Sequence, residues 1–442
     1  MRSYLTHTDR EREEMLQAVG ARTPEDLFAD VPQQVQLHEP LPIPGHDEIA
    51  LSALFSHMAE KNRAGGPQFL GGGAYRHFIP PVVSHLASQP QFVTAYTPYQ
   101  AEMSQGLLQG MFEYQSMICA LCGMDATNAS VYDGATAAAE AMLMSCNVKR
   151  KKVFAVSETV PLQVRTVLAT YAHGQQIVLR TVRQRDGVTD LQGLGAQLQG
   201  CAGILFAQPN CYGVLEDVFA LQKAAQQNNA LSVAYVNPIS LGILQAPGAY
   251  ADIAVGEGQP LGNPLQFGGP YLGFMAVKKP YLRQLPGRMV GQSVDADGNR
   301  GYLLTLQARE QHIRRENATS NICSNQALNA LTAAIYLAAL GTQGLVQTAQ
   351  ACLSHAHVLS ERICAMDGFA MLFDRPFFHE CAIACPATAC EVNAALRRKG
   401  IVGGVDLAPL GYANGLLLCC TECTTTAEMD ALVQALSEVV QA

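Results

Sequence analysis

Residues 203–277 read GILFAQPNCYGVLEDVFALQKAAQQNNALSVAYVNPISLGILQAPGAYADIAVGEGQPLGNPLQFGGPYLGFMAV, and this stretch decides the fold. Four short apolar runs, Gly203–Ala207, Leu231–Val236, Ile253–Val255 and Leu272–Val277, are each short enough for a buried strand. Between the first two lies the helical text Asp217 to Gln227. Strands that alternate with helices require crossovers, and crossovers imply a mostly parallel sheet covered on both faces. Working outward, Lys152–Val156 and Gln176–Leu179 supply two more strands. Gly106 to Leu121 supplies an amphipathic helix, with Leu107, Leu108, Met111, Tyr114, Ile118 and Leu121 recurring at helical spacing.

The flanks read differently. Thr8 and Glu11 form a capping box for a short helix closed by Gly20, and Thr23-Pro24 predicts a second helix start. Pro40, Pro42 and Pro44 predict extended chain, so residues 1–60 are expected to be an arm. It either lies along another surface or caps its own domain. A long helix is expected over Gln326–Leu340, stopped by Gly341, with more helix through Val346–Met366. Strands and helices follow around Phe377–Cys385, Cys390–Lys399 and Leu416–Cys420. The expected domains are the arm 1–60, a large α/β domain 61–315 and a smaller α+β domain 316–442.

Apolar residues are 49% of the chain and charged ones 15%, below the roughly 25% usual for globular domains, so part of the surface is expected to be covered by another subunit. A net charge of −8 argues against a general nucleic-acid or membrane-surface binder. Met1 to Glu14 is charged and has no apolar run of signal-peptide type, so a cytoplasmic location with reduced cysteines is expected. Of the 14 cysteines, only Cys119/Cys122 and Cys419/Cys420/Cys423 have metal-like spacing. Both groups sit in apolar text without His or Asp partners, so no metal is expected. Asn317 to His355 carries no Asp, Glu, Lys or Arg, but Asn and Gln interrupt it, which suits a buried helix pair better than a bilayer span.

Three loops carry polar chemistry. Tyr96-Thr97-Pro98-Tyr99-Gln100-Ala101-Glu102 gathers two phenols, an amide and a carboxylate in a Pro-fixed turn, the makings of a pocket wall or of a helix cap. Asn128 to Thr136 brings small residues to the start of a helix, where backbone N–H groups can meet an anion or simply pack closely. Arg314-Arg315 precede Ser320 and Asn321, a set able to clamp an anion or to end as a solvated turn and N-cap.

Taken together, TAYTPYQAEMSQG (94–106), FEYQSMICALCGMDATNASVYDGATAAAEA (112–141), GEGQPLG (256–262) with FGGPYLGFMAV (267–277), and IRRENATSNICSNQAL (313–328) resemble the P-protein family of the glycine cleavage system. Within it they are most similar to the alpha subunits of the split bacterial form, and the likeness runs in order along the whole chain. It implies the pyridoxal 5′-phosphate (PLP)-dependent transferase type I, aspartate-aminotransferase-like fold, with a mixed, mostly parallel sheet and a small C-terminal domain. It also implies decarboxylation of glycine and transfer of the aminomethyl group to the lipoyl arm of H-protein, as part of glycine catabolism.

PLP chemistry needs a Schiff-base lysine and a carboxylate beside the pyridinium nitrogen. The resemblance puts the carboxylate after the 231–236 run, where Asn237 stands, and the lysine at or near Gln259. The chain has eight lysines, and none lies between Lys223 and Lys278. The resemblance therefore implies a subunit that does not anchor PLP and works with a PLP-bearing beta subunit, in an α2β2 heterotetramer that also meets lipoylated H-protein and glycine. On this reading Tyr96, Tyr99, Gln100 and Glu102 are candidates for a shared pocket, and Arg314, Arg315, Ser320 and Asn321 for contacts to the partner's cofactor. The alternatives are a self-sufficient PLP decarboxylase or aminotransferase using an unorthodox lysine, and a purely structural scaffold subunit.

Overall fold

The computed structural model describes residues 6–37, 39, 41–62, 65–93, 97–318, 320–322 and 325–441. They fall into two compact units, Met1–Gly65 and Gly66–Ala442. In the first, Thr8 N-caps the helix Asp9–Ala18: its Oγ1 accepts from Glu11 N at 3.3 Å while its own N–H donates to Glu11 Oε2 at 2.7 Å. Thr23-Pro24 opens only the short 3₁₀ turn Pro24–Phe28, not a full helix, although Asp26 Oδ2 accepts from the N–H groups of Arg22 and Thr23 in a capping box. A second helix, Glu48–Glu60, is capped by Asp47. No described residue of this unit is buried, and Ile49, Leu54, Phe55 and Met58 are exposed along the second helix.

The second unit is built on a seven-stranded sheet. Its spatial order is Ala126–Thr127, Gly273–Val277, Ile253–Glu257, Leu231–Val236, Gly203–Gln208, Val153–Ser157 and Val178–Val182. Pairings from the 253–257 strand through the 178–182 strand are parallel, whereas the 273–277 strand runs antiparallel to both its neighbours. The central strands read as unbroken apolar runs because both faces are covered. Ile204 and Phe206 enter one core, together with Ala234, Val236 and Phe274. Leu205 and Ala207 enter the other, with Val233, Val255 and Met275. That alternation is the period of two that a strand dictates, and each fully buried phenylalanine contributes about 1.5–3 kcal/mol relative to exposure.

A four-stranded antiparallel sheet follows, in the order Ala370–Met371, Glu380–Ala384, Gly415–Cys419, Val405–Asp406. Helices Ala389–Arg398 and Thr426–Gln441 flank it, and it has its own core around Ile383, Leu396, Leu418 and Leu432. As the sequence predicts, the helical run Ala327–Cys364 breaks at Gly341, whose φ of 61° and ψ of −179° are open to glycine and strained for any other residue, with helix on both sides of it. This is the one described helix long and apolar enough to cross a membrane, yet it is bent, and Ala330, Leu331, Ala333, Ala334 and Tyr336 are buried within the unit.

Candidate functional site

The strands 231–236 and 253–257 run parallel, so their C-terminal ends open on the same side. A cavity of about 200 Å³ lies there. Asn237 stands on its wall, directly after Val236. Its Oδ1 accepts from Ile239 N at 2.9 Å, a local turn, and its Nδ2 lies 3.4 Å from Nε2 of His379. Burial, and after it the neighbouring His77, lowers the His379 imidazole to about 3, so that ring is neutral. Gln259 does not face this cavity. It is 2% exposed, and its Nε2 donates to the carbonyls of Tyr75 at 3.0 Å and Asn263 at 2.7 Å, while its Oε1 accepts from Tyr75 N at 3.0 Å. The wall at this level is Pro260.

Glu257, on this wall, also reaches the start of the helix Gly134–Lys149, of which no described residue lines the cavity. Asp133 N-caps it, Oδ1 accepting from Thr136 N at 2.7 Å. A second N–H at its head is taken by a residue from the far strand: Gly134 N donates to Glu257 Oε2 at 2.9 Å. Glu257 Oε1 accepts from Gln259 N at 3.0 Å and Leu272 N at 2.9 Å. Burial pushes the Glu257 carboxyl up to about 7 in spite of these three bonds. The helix head can come this close because residue 134 has no side chain: a Cβ there would sit 2.6 Å from Tyr235 Oη and 2.8 Å from Glu257 N.

The opposite wall comes from the small sheet. Glu380 Oε1 accepts from Gly72 N at 2.6 Å and its Oε2 from the Tyr75 hydroxyl at 2.9 Å, and burial pushes this carboxyl up to about 7 as well. The rings of Tyr75 and His379 lie 4.6 Å apart. One turn further along, Glu422 holds His77 Nδ1 at 2.7 Å, Phe78 N at 2.6 Å and Cys352 Sγ at 3.4 Å. Burial opposes ionisation of Glu422, but the hydrogen bonds from His77 and Phe78 hold its carboxyl down at about 2. These groups escaped sequence reasoning because they lie some 300 residues apart. The glycine run Gly71-Gly72-Gly73 ahead of Tyr75 was the available signal, since three glycines mark a close backbone approach. Cys119 and Cys122 share one helix, and burial pushes both thiols up, Cys119 to about 11. Cys419 and Cys420 are buried.

No described residue of the other two polar loops lines the cavity either. Tyr96 lies outside the described residues. Tyr99 is half exposed, and its hydroxyl accepts from Arg288 Nη2 at 2.9 Å, with the guanidinium 5.1 Å from its ring centroid. His312 stands edge-on to the same ring at 5.5 Å. Gln100 and Glu102 are exposed beside it, as are Arg314, Arg315 and Asn321. Arg314 Nε donates to the Ala308 carbonyl, and Ser320 hydrogen-bonds the buried Glu140. The structure therefore joins the 97–103 and 312–315 segments into one corner through Tyr99 and His312, away from the cavity walls.

The family model of the glycine cleavage system P-protein matches residues 2–436. The chain belongs to that family. It is 48% identical over 443 residues to a protein of Chlorobium limicola named probable glycine dehydrogenase (decarboxylating) subunit 1, covering 98% of this chain and 99% of the relative. A protein of the same name from Moorella thermoacetica is 49% identical over 446 residues, covering 99% of this chain and 100% of the relative. Among solved structures, a glycine decarboxylase (P-protein) of the glycine cleavage system in inhibitor-bound form superposes with a TM-score of 0.92 at 43% identity, covering 99% of this chain and all of that one. A sphingosine-1-phosphate lyase of Burkholderia pseudomallei has a TM-score of 0.67 at 15% identity, covering 94% of both chains. The fold is thus the PLP-dependent type I fold, and the chain is a subunit of the glycine dehydrogenase (decarboxylating) family.

The P-protein fold implies PLP, and the residues of this cavity do not fit it. Among the described cavity-lining residues none is a lysine or arginine, and three are carboxylic acids: Glu257, Glu380 and Asp406. The residue after the 231–236 strand is a neutral amide engaged in its own turn. At the head of the Gly134–Lys149 helix, the Gly134 N–H already holds Glu257.

Proposed function

We propose that this chain is the P-protein subunit that does not anchor PLP. It works with a PLP-bearing beta subunit, in an α2β2 assembly in the cytoplasm, to decarboxylate glycine and pass the aminomethyl group to the lipoyl arm of H-protein. The observation that carries the reading is the cavity beside Asn237 and Pro260: no described residue lining it is an amine that could form a Schiff base. On this reading the isolated chain is inactive, residues 61–315 and 316–442 act as the two domains of the fold, and the arm 1–60 lies along the partner. Tyr96, Tyr99, Gln100 and Glu102 are offered to a pocket shared with that partner, and Arg314, Arg315, Ser320 and Asn321 to its bound cofactor. The exposure of Tyr99, Glu102, Arg314 and Arg315 supports this assignment, because side chains that are to meet a partner must reach solvent in the single chain.

The test is reconstitution. Release of carbon dioxide from carboxyl-labelled glycine, with lipoylated H-protein present, is expected from the chain mixed with the beta subunit and from neither alone. With PLP added, the isolated chain should show no borohydride-stable adduct. An adduct at one lysine, with glycine decarboxylation by the chain alone, overturns the proposal. Full activity of Tyr96→Phe, Tyr99→Phe and Glu102→Gln in an intact assembly would reduce the subunit to a scaffold.

A further inference from the structure

We infer that the helix head behind this cavity is closed to phosphate esters by the chain's own Glu257, whose carboxyl group occupies it from the cavity wall. The inference deepens the reading above and rests on it: the chain has lost reversible binding of the cofactor's phosphate as well as the covalent link to its aldehyde.

A phosphate at a helix start is held by backbone N–H groups that have no partner within the helix, and by the positive end of the helix dipole. In this chain two of those donors are already used. Asp133 Oδ1 takes Thr136 N, and Glu257 Oε2 takes Gly134 N. Glu257 reaches the helix head from the end of the 253–257 strand, and its second oxygen is held by Gln259 N in its own loop and by Leu272 N at the approach to the antiparallel strand. Three donors from three segments fix one carboxylate, so it cannot swing aside without leaving buried N–H groups unpaired. An incoming phosphate would lose the Gly134 donor and face a carboxyl group within its own site. Among the described residues lining the cavity no cation offsets that. Glu257 is also well built for the place: its side chain is 9% exposed, and the absent Cβ at residue 134 lets the helix head close onto it.

The cradle is therefore latent and not destroyed, and removing Glu257 should reopen it to a phosphate monoester. The experiment titrates the purified full-length chain with PLP and, separately, with pyridoxal, which lacks the phosphate. Binding is followed by equilibrium dialysis in the wild type, Glu257→Ala and Glu257→Gln. Glu257→Ala is expected to bind PLP at least tenfold more tightly than the wild type and to leave pyridoxal unchanged. Glu257→Gln keeps the volume but not the charge, and should show a smaller gain of the same kind. If Glu257→Ala does not fold, the gain in Glu257→Gln decides. Reversible binding of PLP by the wild type as tight as that of the variants, or variants that fold and gain nothing, overturns the inference. Failure of the parent reading looks different: a borohydride-stable adduct on the wild-type chain.

Discussion

Glu257 and Glu380 on the cavity wall have both oxygens engaged by groups of the same chain, and both are shielded from water. The corner around Tyr99 is organised in the opposite way. Arg288 is nearly buried and holds Tyr99 in place, while Gln100, Glu102, Arg314 and Arg315 beside it remain in solvent. The difference separates polar groups that serve the fold from polar groups left open to another molecule. A buried carboxylate satisfied within its own chain makes a rigid wall. Exposed charges on a loop held by one cation–π contact are the kind of surface that associates.

Three substitutions can break or sharpen this contrast. The largest effect is expected from Gly134→Val, because any side chain there collides with Tyr235 and Glu257. It should lower the stability of the chain by about 3 kcal/mol in urea unfolding. A tolerated valine would mean that the cavity wall is not locked. Next, Arg288→Ala removes the donor to Tyr99 Oη and the cation over its ring. With the loop no longer held, decarboxylation by the reconstituted complex should fall about tenfold, the size of one lost charge-assisted hydrogen bond. Unchanged activity with normal assembly would remove the corner from the shared site.

The smallest effect concerns pH. Burial raises the carboxyls of Glu257 and Glu380 to about 7 against a reference of 4.5, so the folded chain holds these protons more tightly than the unfolded chain does. Their contribution is complete below about 4.5 and is lost as pH rises through about 7. Glu380→Gln should therefore flatten the decline of the urea midpoint over that window. An unchanged slope would show that Glu380 does not titrate there. Glu422 works in the other direction: its carboxyl is held at about 2, and its contribution is present above about 4.5 and lost as pH falls towards 2.

Local chemistry was legible in the sequence wherever cause and effect are neighbours. The capping box of Thr8 and Glu11 forms as read, and the run Leu231–Val236 is a strand with those same ends. The lysine gap was legible because it is a matter of composition along one stretch. Side-chain direction was not. Gln259 lies near the expected level but turns to the backbone of Tyr75, 184 residues away, and leaves Pro260 on the wall. The bond between Gly72 and Glu380 spans 308 residues, and no periodicity carries such information. The break at Gly341 was legible, because glycine alone takes that backbone conformation without strain; that packing on both sides joins the two helices into one run was not.

The three N–H groups gathered on Glu257 have a consequence on the scale of descent. With that carboxylate in the cradle, a lineage that regained a lysine beside Pro260 would still meet a filled anion site. One that lost the glutamate would leave buried N–H groups unpaired and have no lysine to use. On the proposed reading each step back is useless or harmful alone, so the loss of cofactor binding in this cavity becomes a one-way path.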